Sequence, residues 1–203
     1  MMKNISILLI LASFWVFAFT PSPEKNADTQ ADSYVYLPIV IKAMPLRVNA
    51  VANGNFEAGR TAWTEVEDNI FNDYPLIVME NQIPPLIDPY DGIWVSWLGG
   101  DSGMTSYIEQ TITVPAVRPE LEYYQWIDSN FACDGSFGRI SIGGTTMDEY
   151  GLCSATDTGG WVKRTINLST FAGQTVILRF LSQTGATNYS SLYIDAVSVH
   201  TAP

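Results

Sequence analysis

Residues 105–114 read TSYIEQTITV, and the alternation of their side chains predicts a β-strand with one face turned to a core. One face carries Ile108, Gln110, Ile112 and Val114, and the other carries Tyr107, Glu109, Thr111 and Thr113. The first face is the more apolar, so we expect it to point inward. Gln110 would then be a buried amide, which requires hydrogen-bond partners.

Similar segments continue on both sides of this strand, rich in Val, Ile, Thr, Tyr and Trp and separated by turn residues. The further candidate strands are Trp63–Glu67, Leu76–Glu80, Ile93–Leu98, Leu121–Asp128, Gly138–Ile142, Thr146–Tyr150, Trp161–Leu168, Thr175–Gln183 and Ser191–His200. None has a helical period, and parallel sheets need crossover helices, so the pattern predicts an all-β, antiparallel β-sandwich of about ten strands. Thr175–Gln183 is apolar on both faces, which is typical of a central strand.

The composition fits a packed domain of this class. The 203 residues are 47% apolar and 12% aromatic but only 15% charged, which excludes intrinsic disorder and a coiled coil. Lys and Arg number 10 against 21 Asp and Glu, so the formal charge is -11. Nucleic acid is therefore disfavoured as a partner, because phosphate binding needs clustered Lys and Arg. Neutral or metal-bridged ligands fit this charge better.

The N-terminus has the pattern of an export signal. A short basic start and an apolar run over residues 5–19 predict a signal peptide at residues 1–20, with an uncleaved membrane anchor as the alternative. Residues 21–50 are predicted to be a disordered tether followed by an extended, proline-containing strap, which either lies on the domain or holds the protein to the envelope. Residues 51–203 then form the β-sandwich domain. We expect the protein to be secreted or at the cell surface.

The chain has two cysteines, Cys133 and Cys153, and both follow the export signal. A catalytic or metal-binding pair is possible in principle, but an exported chain with two cysteines most often joins them. The sequence therefore predicts a disulfide. In the chain-entropy model, closing the loop of about 20 residues between them stabilises the fold by about 3 kcal/mol.

Several stretches resemble a known group of domains. They are NGNFEAG at Asn53–Gly59, IWVSWLGG at Ile93–Gly100, YIEQTITVP at Tyr107–Pro115, WVKRTINLSTFAGQT at Trp161–Thr175 and SLYIDAVSV at Ser191–Val199. The first, fourth and fifth stretches together resemble the jelly-roll domains of the galactose-binding-like and carbohydrate-binding-module group, which are also similar to MAM-like extracellular domains. The second and third look like uncharacterised members of the group that are appended to secreted bacterial enzymes and surface proteins. The resemblance covers nearly the whole of residues 51–199 and implies a jelly-roll sandwich.

The resemblance also implies a structural calcium ion shared by the first and last strands. Glu57 and Asp195 occupy the matching positions, and Asn55 can add an oxygen. Calcium binds six to eight hard oxygens, and an Asp within an apolar strand is costly unless it is paired or metal-bound. This chain has Ala196 where many relatives place a second acidic residue. The alternative is that Asp195 accepts hydrogen bonds from backbone amides.

Catalysis is not favoured by the residues present. The one histidine, His200, lies three residues from the C-terminus, where we expect a frayed end to position it badly as a general base. It also leaves no common histidine-rich zinc site. The carboxylates Asp128, Asp134, Asp148 and Glu149 would have to converge to act as a glycosidase pair, and we interpret them as solvated loop groups. We predict no catalytic residues.

Binding is favoured by the aromatic residues, which include six Trp and ten Tyr. If the strand Leu121–Asp128 turns its apolar side to the core, Tyr124, Trp126 and Asp128 face outward. Trp94 and Trp97 are an odd number of residues apart, so one of them must also face away from the core. Aromatic faces beside carboxylates and amides hold sugar rings by stacking and hydrogen bonding. The alternative is that these aromatics fill the interior.

The leading hypothesis is a secreted, non-catalytic module that binds a polysaccharide or glycan through Tyr124, Trp126, Asp128 and Trp97. The second is a structural or adhesive extracellular domain with cell-envelope or secreted protein partners and no glycan binding. A secreted glycosidase or lyase is a distant third. The sequence names neither the sugar nor the oligomeric state.

Overall fold

The computed structural model of the protein describes residues 49–68, 74–84 and 87–202, and in these ranges the chain forms ten β-strands. The strands are β1 Thr64–Glu67, β2 Ile77–Met79, β3 Trp94–Gly99, β4 Thr105–Thr113, β5 Pro119–Asp128, β6 Phe137–Ile142, β7 Thr145–Gly151, β8 Val162–Asn167, β9 Thr175–Gln183 and β10 Ser191–Thr201. Short 3-10 helices follow β2 at Glu80–Gln82 and β8 at Ser169–Phe171. The predicted signal peptide and nearly all of the predicted tether lie outside the described residues. No helix within the described ranges has the length and apolarity to span a membrane.

The strands form two antiparallel sheets of five strands each. The first sheet has the order β1-β4-β9-β6-β7, and the second has the order β2-β3-β10-β5-β8. The chain passes repeatedly between the sheets, as in a jelly roll. All ten predicted strands are present, and their ends differ from the prediction by at most two residues. The predicted all-β antiparallel sandwich is therefore confirmed.

Strand β4 shows how the alternation places the core. Ile108, Ile112 and Val114 are at most 2% exposed, and Gln110 is 9% exposed on the same face. The Gln110 amide donates to the carbonyl oxygens of Ala52 and Ala62, both at 2.9 Å, and accepts from the Ala52 N–H at 2.8 Å. The predicted inward face is therefore correct, and the buried amide has partners.

Strand β9 lies between β4 and β6 and is central, as predicted. Leu178 and Phe180 are completely buried between the sheets, whereas Ile177 on the other face is 42% exposed. Sequence alone could not choose between these two faces because both are apolar.

The described part of the chain begins by pairing with β10. The Ala50 N–H donates to the Val199 carbonyl at 2.9 Å, and the Asn49 side chain accepts from the Val199 N–H at 2.9 Å. Ala50 also packs against the core. These two residues, which the sequence assigns to the strap, therefore contact the sandwich.

Cys133 and Cys153 form a disulfide with a sulfur–sulfur distance of 2.05 Å. Cys133 lies in the exposed loop before β6, and Cys153 is buried just after β7. The predicted disulfide is confirmed, and it ties two loops at one end of the sandwich.

We expect the intact mass of the denatured, non-reduced protein to be two hydrogens below that of the reduced protein. Replacing both cysteines by serine should lower the free energy of unfolding by about 3 kcal/mol, because the open chain gains entropy in the unfolded state. Intact-mass spectrometry and urea denaturation measure these two quantities. Two thiols that alkylate without prior reduction would contradict the bond.

Candidate functional site

Four aromatic side chains cross the outer face of the second sheet in one line, which we call the aromatic row: Trp97, Tyr193, Trp126 and Trp161. Tyr193 on β10 is directly opposite Trp97 on β3 and Trp126 on β5, and opposite residues of neighbouring strands share a face. The Trp97 and Tyr193 rings stack with centroids 5.8 Å apart, and Trp126 meets Trp161 edge to face at 6.0 Å. The row thus crosses the sheet from β3 over β10 and β5 to the residue that precedes β8.

Strand geometry explains why these rings point outward. The neighbours in sequence of Trp97, Tyr193 and Trp126 include Leu98, Leu192 and Ile127, each at most 1% exposed in the main core. Since successive side chains alternate between faces, the aromatics on these strands must lie on the opposite side.

A segment of chain, residues 80–84 and 87–93, covers the middle of this outer face, and we call it the covering segment. Its Ile83 and Ile87 join Val78, Val95 and Tyr193 in a second, smaller apolar cluster. Tyr193 is completely buried there, whereas Trp97, Trp126 and Trp161 are half-buried. The aromatic row is therefore sealed at its centre and accessible towards its ends.

Two carboxylates hold the covering segment through its backbone. The Asp195 Oδ2 atom accepts from the Tyr90 N–H at 2.9 Å and from the Asp91 N–H at 3.1 Å. The Glu57 Oε1 atom accepts from the Ile93 N–H at 2.9 Å and from the next N–H, of Trp94, at 2.8 Å. Both residues of the predicted calcium pair thus contact consecutive amides of one segment.

Ring contacts hold the same segment over β5 and β8. Tyr90 stacks on Tyr124 with ring centroids 3.5 Å apart and an interplanar angle of 16°. The Trp161 indole N–H donates to the carbonyl oxygen of Asp88 at 2.8 Å. Tyr124, which the sequence predicts as an outward ligand-binding residue, therefore faces outward but has one ring face occupied by Tyr90.

Asp195 is completely buried, and its position depends on a bulge in β10. Its Oδ1 atom accepts from the Ala196 N–H at 2.6 Å, and Ala196 has a positive φ of 48°. Burial raises the pKa of Asp195 to about 7, although the hydrogen bonds from Asp91, Ala196 and Tyr90 act in the opposite direction. The amide interactions match the alternative reading of Asp195 drawn from the sequence.

The calcium site stays a prediction. Asn55 is exposed in the turn that also carries Glu57. Among the described residues, Glu57 and Asp195 do not join a third carboxylate, histidine or cysteine in a group whose ligand atoms lie within 4.8 Å of one another. Any ion there would have to draw on the Asn55 amide, backbone carbonyls or water in addition to the two carboxylates.

Because its pKa is raised, Asp195 binds a proton more tightly in the folded state than in the unfolded state. The stability of the folded state should therefore fall as rising pH removes this proton. Between about pH 4, the pKa of an unfolded Asp, and about pH 7, its contribution should fall by up to about 4 kcal/mol. Asp195→Asn should remove that part of the pH dependence. Urea denaturation of both proteins at several pH values measures the difference. The exposed Glu149→Gln is the control, and parallel curves for wild type and Asp195→Asn would contradict the assignment.

A groove of about 450 Å³ opens beside Trp97, at the β2 edge of the second sheet. Its lining includes exposed Tyr74 and the polar side chains of Gln82 and Asp101. The Trp97 indole N–H donates to Ser191 Oγ at 3.0 Å, which fixes the ring in its position. The groove therefore combines an oriented indole with groups that form hydrogen bonds.

Gly100 allows the chain to pass close to this indole. A Cβ atom at this position would lie 2.8 Å from the Trp97 ring, and Gly100 has a φ of 83°, where side chains are disfavoured. Any larger residue at position 100 would therefore displace Trp97.

Three of the four predicted binding residues, Trp97, Trp126 and Asp128, lie together on the outer face, on the side of Asp195 away from the bulge in β10. Trp97 and Trp126 flank Tyr193, and Asp128 follows Trp126 on the same side of β5, opposite Ser191. Burial, and then the nearby Asp157 carboxylate, raise the pKa of Asp128. Trp94 packs against the main core, so Trp97 is the tryptophan of β3 that faces away.

Sequence reasoning missed Tyr193, Trp161 and Tyr90 as parts of this surface. Alternation predicts that Tyr193 and Asp195 share one face. Their neighbours on that face depend on which strands lie beside β10. The residue pairs across β3, β10 and β5 are set by long-range register, which no local pattern carries.

The four carboxylates weighed for catalysis belong to three different elements of the fold. Asp128 is on β5, Asp134 is in the loop before β6 and accepts from the Ser136 side chain, and Asp148 and Glu149 are on β7.

The expectation that His200 lies at a frayed end is wrong. β10 extends to Thr201, which pairs with Pro119, and His200 is only 8% exposed because the sheet continues past it.

No protein-family model matches the chain, and no curated protein matches it. Solved structures do match. A module named TmCBM61, solved with β-1,4-galactotriose, has a TM-score of 0.57 and 14% identity over 76% of this chain and 99% of its own. The K3 adhesin domain of Lys-gingipain from Porphyromonas gingivalis has a TM-score of 0.54 and 16% identity over 77% and 99%. Its K2 adhesin domain has a TM-score of 0.52 and 15% identity over 74% and 97%. These likenesses show the fold, so the predicted jelly-roll domain is confirmed.

Proposed function

We propose that this protein is a secreted, non-catalytic module that binds carbohydrate at the open ends of the aromatic row. The observation that carries the proposal is the outward Trp97, oriented by Ser191 beside a groove of about 450 Å³. Trp126 and Asp128 lie on the same outer face, two strands away on β5.

The chemistry of this surface suits a sugar. Flat indole faces accept the C–H face of a pyranose ring by stacking, and carboxylate and amide groups bind its hydroxyls. Trp97 and Trp126 supply the first kind of contact, and Gln82, Asp101 and Asp128 supply the second. A concave apolar groove with a few polar groups is the usual form of a small-ligand site.

Other observations agree with this function. The formal charge of -11 favours a neutral or metal-bridged ligand over a polyanion. The disulfide is typical of an oxidising compartment, as the predicted signal at residues 1–20 also indicates. The module named TmCBM61, which shares the fold, was solved with β-1,4-galactotriose. We infer an extracellular or cell-surface polysaccharide as the ligand.

The second candidate is a structural or adhesive domain with envelope or secreted proteins as partners. The covering segment favours it, since Tyr193 is buried and one face of Tyr124 is stacked against Tyr90. In that case the aromatic row serves mainly to hold the covering segment, and glycans do not bind. The fold shared with the Lys-gingipain adhesin domains is compatible with this alternative.

We expect the full chain to bind at least one glycan on an array at millimolar or lower concentration. Trp97→Ala and Trp126→Ala should each weaken that binding by at least about two- to tenfold, since a stacked aromatic contributes about 0.5–1.5 kcal/mol beyond its buried area. Isothermal titration with the glycan found on the array measures the loss. Tyr107→Ala, on the other sheet, is the matched control.

Melting curves show whether each variant folds. No binding to any glycan by the wild-type protein would refute this proposal and leave the adhesive domain. Equal losses for Tyr107→Ala and Trp97→Ala would mean that the effect is on stability and not on the sugar.

We also propose that calcium binds at Glu57 and Asp195, with Asn55 adding an oxygen. The ion would bind the folded state only, so free calcium at a hundred times Kd should add about 2.7 kcal/mol and raise Tm by several degrees. The shift should be larger at pH 8 than at pH 5, because protons compete for a carboxylate whose pKa burial raises to about 7. Differential scanning fluorimetry measures it.

Magnesium should give a smaller shift, because it prefers a tighter octahedron and releases water reluctantly. Asp195→Asn should abolish the calcium response. A melting curve that is identical in chelator and in millimolar calcium would leave Asp195 as a carboxylate satisfied by backbone amides alone.

A further inference from the structure

At the other end of the outer face, beyond the bulge in β10, lie Glu120, Glu122 and His200. Each offers one ligand atom, and these three atoms lie within 4.8 Å of one another. In the described part of the chain this is the one such group of three carboxylate, imidazole or thiol side chains. Neither the proposed sugar site nor the proposed calcium site uses it.

Strand register brings the three side chains together. His200 on β10 is directly opposite Glu120 on β5, and Ser198 is opposite Glu122. Opposite residues of antiparallel neighbours share a face, and residues two apart on a strand share a face. The two glutamates therefore flank the imidazole on one side of the sheet, and the backbone ladder fixes their spacing.

The imidazole of His200 is the least exposed of the three side chains. It is only 8% exposed, and Ser198 Oγ at 3.3 Å from Nδ1 is its one hydrogen-bond partner within the described ranges. No ion pair joins it to either glutamate there. A divalent ion placed among the three ligand atoms would contact the imidazole and both carboxylates at once.

We propose that Glu120, Glu122 and His200 bind a divalent transition-metal ion of the zinc type. Imidazole nitrogen with carboxylate oxygen suits zinc and its neighbours, whereas calcium and magnesium prefer oxygen ligands alone. Three protein ligands leave a coordination position for water, as zinc sites of this size commonly do. The Ser198 hydroxyl contacts Nδ1 at 3.3 Å, so Nε2 is the imidazole nitrogen left for the metal ion.

One cation already contacts this group. The Lys163 ammonium lies 2.7 Å from Glu122 Oε2, and its side chain is 49% exposed. An exposed ion pair contributes little, and a carboxylate has a second oxygen, so Lys163 does not close the site. The two carboxylates outnumber the one ammonium, which favours a cation between them.

The chain holds a single histidine, which makes the test direct. The imidazole nitrogens of the full chain, produced without a histidine tag and treated with chelator, give one set of resonances in a long-range nitrogen–proton spectrum. Zinc chloride should shift this set with a stoichiometry of one ion per chain, and calcium chloride should not. Unshifted imidazole signals under zinc excess would overturn the proposal without any variant being needed.

Variants then identify the carboxylates. Glu120→Gln, Glu122→Gln and His200→Gln should each weaken zinc binding by about tenfold or more in equilibrium dialysis, while the exposed Glu149→Gln on β7 should leave it unchanged. Zinc uptake that His200→Gln does not alter would show non-specific binding to surface carboxylates, and the site would be withdrawn.

Discussion

The second sheet depends on one buried carboxylate, Asp195, in the middle of its central strand. Residues 191–195 are all buried, so β10 has a packed layer on each of its faces. One layer is the main core, and the other is the covering segment, which can lie there because Asp195 accepts two of its backbone N–H groups. Without an acceptor at this point, the N–H groups of Tyr90 and Asp91 would lose the hydrogen bonds that hold the covering segment to β10.

The same carboxylate divides the outer face into two chemically different ends. On one side the aromatic row leads to the groove beside Trp97. On the other side, past the bulge at Ala196, β10 and β5 present His200, Glu120 and Glu122. The bulge matters here because it changes the register by a residue, so that His200 and Ser198 lie opposite the glutamates on the outer face.

Local pattern was sufficient for the strands and for one face of β4, where Gln110 shows how much a single residue can predict. Its place among Ile108, Ile112 and Val114 predicts burial, and burial predicts partners. The partners themselves, the Ala52 and Ala62 backbone groups, were not predictable because they depend on the path of a distant loop. Trp97 against Trp94 is a similar case: spacing shows that one must face outward, and only packing shows which.

The candidate site was predictable in its residue types and not in its accessibility. Outward Tyr124, Trp126 and Asp128 follow from alternation, but the stacking of Tyr90 on Tyr124 depends on a segment with no period of its own. For the same reason His200 near the C-terminus suggested fraying, although the pairing of Thr201 with Pro119 holds it in the sheet. A position near the end of the sequence does not by itself make a residue disordered, because order depends on hydrogen bonds and burial. For His200, strand pairing and burial place the imidazole beside two carboxylates.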